Sequence, residues 1–234
     1  MNIRPGPRTT PEQPTATSDE VAHFARGLTG NYDVVLAVFC GLLLISNVAA
    51  TKLIAVGRLN FDGGAILFPL TYVLGDVLAE VYGMRRARRA IVVGFILAGV
   101  MSVCFLAVGA LPPLPSWPFQ EAWTSVLGFV PRIVAASLCG FLAGQLLNAY
   151  VLVKIKQRTR ERALWARLVS STVVGELADT LIFCTIAFAG TIPFTDLVNY
   201  TVTGFLYKVA VEVICLPVTY QVIKAVKRRE PTYR

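Results

Sequence analysis

Phe68-Pro69-Leu70-Thr71-Tyr72-Val73-Leu74-Gly75-Asp76-Val77-Leu78-Ala79-Glu80-Val81-Tyr82 is the stretch that decides how this chain folds. It is apolar over most of its length, yet it carries two carboxylates four residues apart, which a helix places on one face. Phe68, Tyr72, Asp76 and Glu80 form a single row along that face. The reading is a helix that crosses a lipid bilayer and keeps one polar stripe turned toward other protein.

The rest of the chain agrees with a membrane setting. Of its 234 residues, 55% are hydrophobic and 15% are charged, whereas a soluble domain carries nearer a quarter charged residues. That leaves too little charge to cover a water-facing surface. Apolar runs recur at the length a helix needs to cross the hydrocarbon core. The pattern predicts an all-α polytopic membrane protein with six transmembrane helices, at about residues 32–55, 64–82, 89–111, 126–152, 168–190 and 196–223. Residues 1–31 form a polar tail expected to be disordered and cytoplasmic, 32–223 the six-helix domain, and 224–234 a basic cytoplasmic tail. The tail at 1–31 is not read as a signal peptide, because no apolar run begins before Tyr32.

The net charge of +8 reflects topology rather than nucleic-acid binding. Basic residues concentrate in the N-terminal tail (Arg4, Arg8, Arg26), after the second apolar run (Arg85, Arg86, Arg88, Arg89), after the fourth (Lys154, Lys156, Arg158, Arg160, Arg162, Arg167) and at the C-terminus (Lys224, Lys227, Arg228, Arg229, Arg234). Those positions hold 18 of the 22 Lys and Arg. Six crossings with both termini in the cytoplasm put all of them on one side, as cytoplasmic loops require. The opposite side is marked by Asp62-Gly63-Gly64, a strong breaker. It is also marked by a Pro-rich loop in which Trp117 and Trp123 suit the membrane–water interface.

The two halves resemble each other. Gly75-Asp76 and Gly175-Glu176 align at an offset of 100, and Asn47 aligns with Asn148 at nearly the same offset. With three helices per half, the second half would enter the membrane from the opposite side. The expectation is therefore two inverted three-helix repeats, a common build for transporters with a central site.

The informative residues are those that lipid should reject. Asp76 and Glu80 share a face, as do Glu176 and Asp179, and Lys208 and Glu212. Each charge at mid-bilayer costs roughly 3 kcal/mol on the insertion scale. Six of them facing lipid would cost on the order of 15–20 kcal/mol, more than a typical protein's stability, so they must face each other or a wet cavity. Thr172, Glu176, Asp179 and Phe183 form a second stripe, Phe141, Gln145 and Asn148 a third, and Asn47 adds a further amide. Candidate binding residues are thus Asn47, Phe68, Tyr72, Asp76, Glu80, Gln145, Asn148, Glu176, Asp179, Lys208 and Glu212. An acidic, amide-bearing and aromatic lining suits a flat heterocycle with donors on its edge: carboxylates accept paired N–H groups, amides give and take, and rings stack.

Structural alternatives exist for several of these. Lys208 and Glu212 would neutralise each other if they paired, Glu80 could reach Arg85 or Arg86, and Gly140 and Gly144 would ease helix packing. Five cysteines within apolar runs read as small buried hydrophobes. The single His23 cannot build a metal site, and no cofactor is expected. No G-x-x-x-x-G-K-[ST] loop is present.

Three motifs point to a family. Ser46-Asn47-Val48-Ala49-Ala50-Thr51-Lys52-Leu53, the long motif from Phe68 to Gly83 followed by Arg85 and Arg86, and Val174-Gly175-Glu176-Leu177-Ala178-Asp179-Thr180 resemble those of the queuosine precursor transporter family, also called the vitamin uptake transporter family. The resemblance spans about residues 32–225. Gly75 departs from it, standing where a bulkier, often polar residue is expected before the Asp.

The resemblance implies a transporter in the bacterial plasma membrane that imports 7-deazaguanine bases, in cyano and aminomethyl forms, for making queuosine in transfer RNA. The expected partners are that purine-like small molecule, the lipid bilayer and, in a homodimer, a second copy of the chain, with no nucleic acid and no catalysis. Glu176 or Asp76 would accept the paired N–H donors, Asn47, Gln145 and Asn148 would read the remaining edge, and Tyr72 and Phe68 would stack. One competing expectation is a substrate-capturing subunit of a multi-component vitamin importer. Another is an intramembrane aspartyl protease, disfavoured because Val73 stands where its motif needs Gly.

Overall fold

The computed structural model describes residues 31–159 and 164–229, apart from the side chains of residues 152, 153, 155–159, 164–169 and 171. The tail expected at 1–31, the basic residues Arg160, Arg162 and Arg234, and the side chains of Lys156, Arg158 and Arg167 thus lie outside the described residues, except for Asn31.

Helix α1 (Tyr32–Ala49) leads into a hairpin of β1 (Leu53–Val56) and β2 (Leu59–Asp62), then a 3-10 turn, Gly63–Leu67, and α2 (Phe68–Tyr82). Next come α3 (Met84–Gly109), α4 (Gln120–Val126), a 3-10 turn at Leu127–Phe129, α5 (Val130–Thr159), α6 (Leu164–Phe188) and α7 (Phe194–Arg229). Among the described residues, five segments are long and apolar enough to cross a membrane: Tyr32–Ala49, Gly63–Tyr82, Met84–Gly109, Gln120–Val151 and Phe194–Arg229. Large apolar side chains such as Val92, Val103, Leu146 and Ile214 point outward, which only lipid would favour. The chain is a multi-pass, mainly α-helical membrane protein.

Several boundaries differ from the sequence expectation, each for a local reason. The first helix ends at Ala49 rather than near 55, because residues 53–62 pair as an antiparallel hairpin with Leu53 opposite Asp62. Its two-residue turn needs a left-handed residue, and Gly57 supplies a φ of +64°. Asn199 on α7 holds this hairpin. Its Oδ1 accepts from the Asn60 amide at 3.1 Å, and its Nδ2 donates to the Arg58 carbonyl at 2.9 Å. The loop expected after the second helix shrinks to Gly83, at φ +83°. Arg85, Arg86, Arg88 and Arg89 therefore ride on the first turns of α3. The fourth helix runs on to Thr159 and the last to Arg229, passing through Pro217. Cys104 and Cys139 are exposed on the bundle surface, unlike the buried Cys40 and Cys184.

The closest packing joins α5 to α6. A Cβ built on Gly140 would lie 2.7 Å from Asp179 Oδ1, and one on Gly144 2.9 Å from the Gly175 carbonyl oxygen. One on Gly175 would meet Asn148 Cβ at 2.9 Å. Without a hydrophobic drive between helices in lipid, small residues let backbones approach and gain dispersion contacts. Gly140-x-x-x-Gly144 against Gly175 does that here, and it sets Asn148 beside Gly175 and Asp179 beside Gly140 and Gly144.

Arg132 fastens the far end of the same pair. Its guanidinium donates to the carbonyls of Ile186 at 2.7 Å and Ala189 at 2.6 Å, and to Thr191 Oγ1 at 3.1 Å. These carbonyls at the end of α6 would otherwise lack donors.

Candidate functional site

Helices α1, α2, α3, α5, α6 and α7 enclose a cavity of about 300 Å³. Of the sequence-derived candidates, Asn47, Phe68, Tyr72, Gln145, Asn148, Glu176, Asp179 and Lys208 line it together. Asp76, Glu80 and Glu212 do not. Asp76 and Glu80 instead border a larger open cleft between α2 and α7, with Lys224, Lys227 and Arg228 on its other side. Glu212, one turn beyond Lys208 on α7, lines neither.

Lys208 sits at the centre of the charged groups. Its ammonium donates to Asp179 Oδ2 and lies 3.9 Å from Glu176 Oε2. It also stands 5.5 Å from the centre of the Phe68 ring, over its face, where the ring quadrupole favours a cation. Its partners are thus on α6, one helix away, and not Glu212 one turn along its own helix. Glu80 pairs with Lys227 at 2.7 Å, not with Arg85 or Arg86.

The amides are fixed differently. Asn47 is buried; its Nδ2 donates to the Leu43 carbonyl at 2.8 Å and its Oδ1 accepts from Ser137 Oγ at 3.1 Å. That orients its head, leaving one N–H and one lone pair. Asn148 Oδ1 and Glu176 Oε2 are buried oxygens with no hydrogen-bond donor. A buried acceptor left unmet costs about 1–3 kcal/mol, and both residues line the cavity, so a side-chain rotation that turns these oxygens inward would let a ligand's N–H groups meet them. The Tyr72 hydroxyl lies beside Glu176. The walls are aromatic: Phe68 and Tyr72 meet edge to face at 6.5 Å, and Phe95 and Phe141 lie 5.6 Å apart.

Sequence reasoning missed Asp62, Ser46, Ser137, Phe39 and Phe95 in this lining. In the sequence Asp62 reads only as part of a breaker. It caps the 3-10 turn, accepting from the Ala65 amide at 3.1 Å, and its other oxygen accepts from the Tyr200 hydroxyl. An Asp directly before an apolar helical run is an N-cap signal, and that signal was there to be read. A Cβ on Gly63 would lie 2.4 Å from the Ala49 carbonyl oxygen, so only glycine lets the turn seat against the end of α1. Ser137, a lone serine in an apolar run, gave no signal.

A family model described as "Putative vitamin uptake transporter" matches residues 62–222. The "Probable queuosine precursor transporter" of Bacillus subtilis is 32% identical over 199 residues, covering 83% of this chain and 86% of that protein. The "Queuosine precursor transporter" of Escherichia coli is 32% identical over 125 residues, 53% of this chain and 54% of its own length. A "Probable queuosine precursor transporter" of Haemophilus influenzae is 31% identical over 148 residues, 58% of each. No solved structure matches the chain. A family match across most of the fold, and a relative aligned over most of both lengths, lead to one conclusion: this chain belongs to the vitamin uptake transporter family, also called the queuosine precursor transporter family.

Proposed function

We propose that this chain carries queuosine precursors, 7-deazaguanine bases, across the bacterial plasma membrane, as a carrier and not an enzyme. The observation that bears most weight is the roughly 300 Å³ cavity with two buried acceptors, Asn148 Oδ1 and Glu176 Oε2, that no protein donor meets. A guanine-like edge offers adjacent N–H donors that would fill them. Asn47 and Gln145 read the remaining edge, Phe68 and Tyr72 stack on the ring, and Lys208 pairs with Asp179 beside it.

In this reading α6 is a sixth crossing. It has 25 residues, and its carboxylates Glu176 and Asp179 face the cavity rather than lipid. Both termini then lie in the cytoplasm with the arginines of α3. The halves before and after the Pro-rich loop act as inverted repeats that rock around the cavity. The α2–α7 cleft with Asp76 and Glu80, facing basic residues, is the cytoplasmic mouth, and Glu212 lies along the way to it.

The test is genetic. Cells that neither make nor import deazaguanines receive this chain and the base, and queuosine is measured in their transfer RNA. Rescue by the wild type, and its loss with membrane-located Glu176→Gln, supports the proposal. No rescue by a well-expressed wild type removes it.

A further inference from the structure

The connector between α1 and α2 is held at two places, one in each half of the chain. Its 3-10 turn is seated on α1, where a Cβ on Gly64 would lie 2.8 Å from the Ser46 carbonyl oxygen. The rest is held from across the bundle by α7. Asn199 accepts from the Asn60 amide and donates to the Arg58 carbonyl. The Tyr200 hydroxyl donates to Asp62 Oδ2, and the Tyr207 hydroxyl to the Ala65 carbonyl at 3.0 Å. Beside this seam the bundle is filled with rings. Phe188 is 1% exposed, and the rings of Phe129, Phe183 and Tyr200 stand 5.9, 6.1 and 5.2 Å from it. Leu53 of the hairpin packs against the same cluster. Asp62 and Phe183 also line the central cavity, so the seam forms part of its wall.

The far end of α7 is different. There Lys227 meets Glu80 of α2, 60% exposed, beside an open cleft. One end of the bundle is therefore packed and latched, and the other is loosely tied. A two-stranded hairpin is marginal on its own in water, so the hairpin stays where its contacts with α7 and the ring cluster hold it. Its tip has little other support, with Val56 62% and Leu59 50% exposed. We propose that residues 53–67 are the gate at this end of the cavity, and that Asn199 and Tyr200 are the latch that must release before the two halves part there. Asn199 is a positioning residue in this device, since it acts through the hairpin backbone. The proposal rests on the carrier reading, which puts the hairpin outside the cell, and it names the contacts that an outward opening breaks.

Two buried native cysteines report on the gate. Cys184 lies in the ring cluster and Cys40 in the separate core around Tyr32 and Tyr82. Spheroplasts expressing the full chain are treated from outside with a membrane-impermeant maleimide, and labelling of each cysteine is read by peptide mass. Asn199→Ala removes two bonds of the latch and should raise the Cys184 rate about tenfold, with Cys40 unchanged. Should that variant fail to fold, Tyr200→Phe replaces it, with a rise of about fivefold. Equal rises at both cysteines mean general loosening and overturn the proposal, as does no rise at Cys184. In a second arm, Asn60→Cys and Asn199→Cys are combined and joined by an impermeant, reducible bis-thiol reagent, with the wild type treated alike as control. Uptake of labelled deazaguanine should fall at least tenfold and return on reduction. Uptake that continues with the pair joined overturns the gate and leaves the carrier reading standing. Absence of uptake by the untreated wild type removes the carrier reading itself.

Discussion

Gly144→Ala tests whether the α5–α6 approach sets the site. The added Cβ would lie 2.9 Å from the Gly175 carbonyl oxygen and 3.0 Å from Asp179 Cβ, where ordinary contact begins at 3.4 Å. The helices must therefore part by about half an ångström, and both obstacles are rigid, backbone or the first atom of a side chain. Overpacking of this kind costs about 1–3 kcal/mol, against at most about 1 kcal/mol of helix propensity gained over glycine. The net expectation is a loss of up to about 2 kcal/mol, with uptake falling further than stability because Asp179 is the group displaced. Gly99→Ala and Gly75→Ala serve as controls, since a Cβ there meets nothing within 4 Å; both should be neutral or slightly stabilising. Thermal unfolding in detergent and liposome uptake would be measured for all three. Equal melting temperatures and equal uptake for Gly144→Ala and Gly99→Ala would refute the reasoning.

Lys208→Met leaves Glu176 and Asp179 without their shared cation and should cost about 3–5 kcal/mol, seen as a lower melting temperature that Asp179→Asn partly restores. Arg132→Met strips donors from the Ile186 and Ala189 carbonyls. A loss of about 2–3 kcal/mol is expected, with Arg132→Lys intermediate because it lacks the forked geometry; an unchanged melting temperature would contradict this. Glu80→Gln should change stability by less than about 1 kcal/mol, since Glu80 is 60% exposed where it pairs with Lys227, and a larger drop in the same assay would mean that the pair is a structural clamp.

Much of this molecule could be read from its sequence, for reasons that residues make plain. Charges in apolar runs must be sheltered, so Glu176 and Asp179 announced an interior site before any geometry was known. Spacing fixes which residues share a helix face but not which neighbour that face meets. Lys208 and Glu212 share a face, yet the ammonium crosses to α6. Asp76 shares a face with Tyr72, yet only Tyr72 reaches the cavity.

The hairpin at 53–62 was hidden because its apolar residues looked like the end of a helix. Its identity rests on Gly57 and on pairing across four positions, a non-local contact that periodicity does not report. Likewise, the basic segment after the second run is legible in the sequence as a cluster of charge, but its helical conformation is not, since Gly83 alone makes the turn.

The central claim is that one chain, by itself, binds a deazaguanine in this cavity and moves it across a bilayer. Liposomes containing only the purified protein and loaded with buffer offer the most direct measurement: entry of the labelled base with time. The account predicts saturable entry that stops with Glu176→Gln in a protein that still folds. A correctly folded wild type that binds the base but passes none of it would contradict the account and favour a capture subunit of a larger importer.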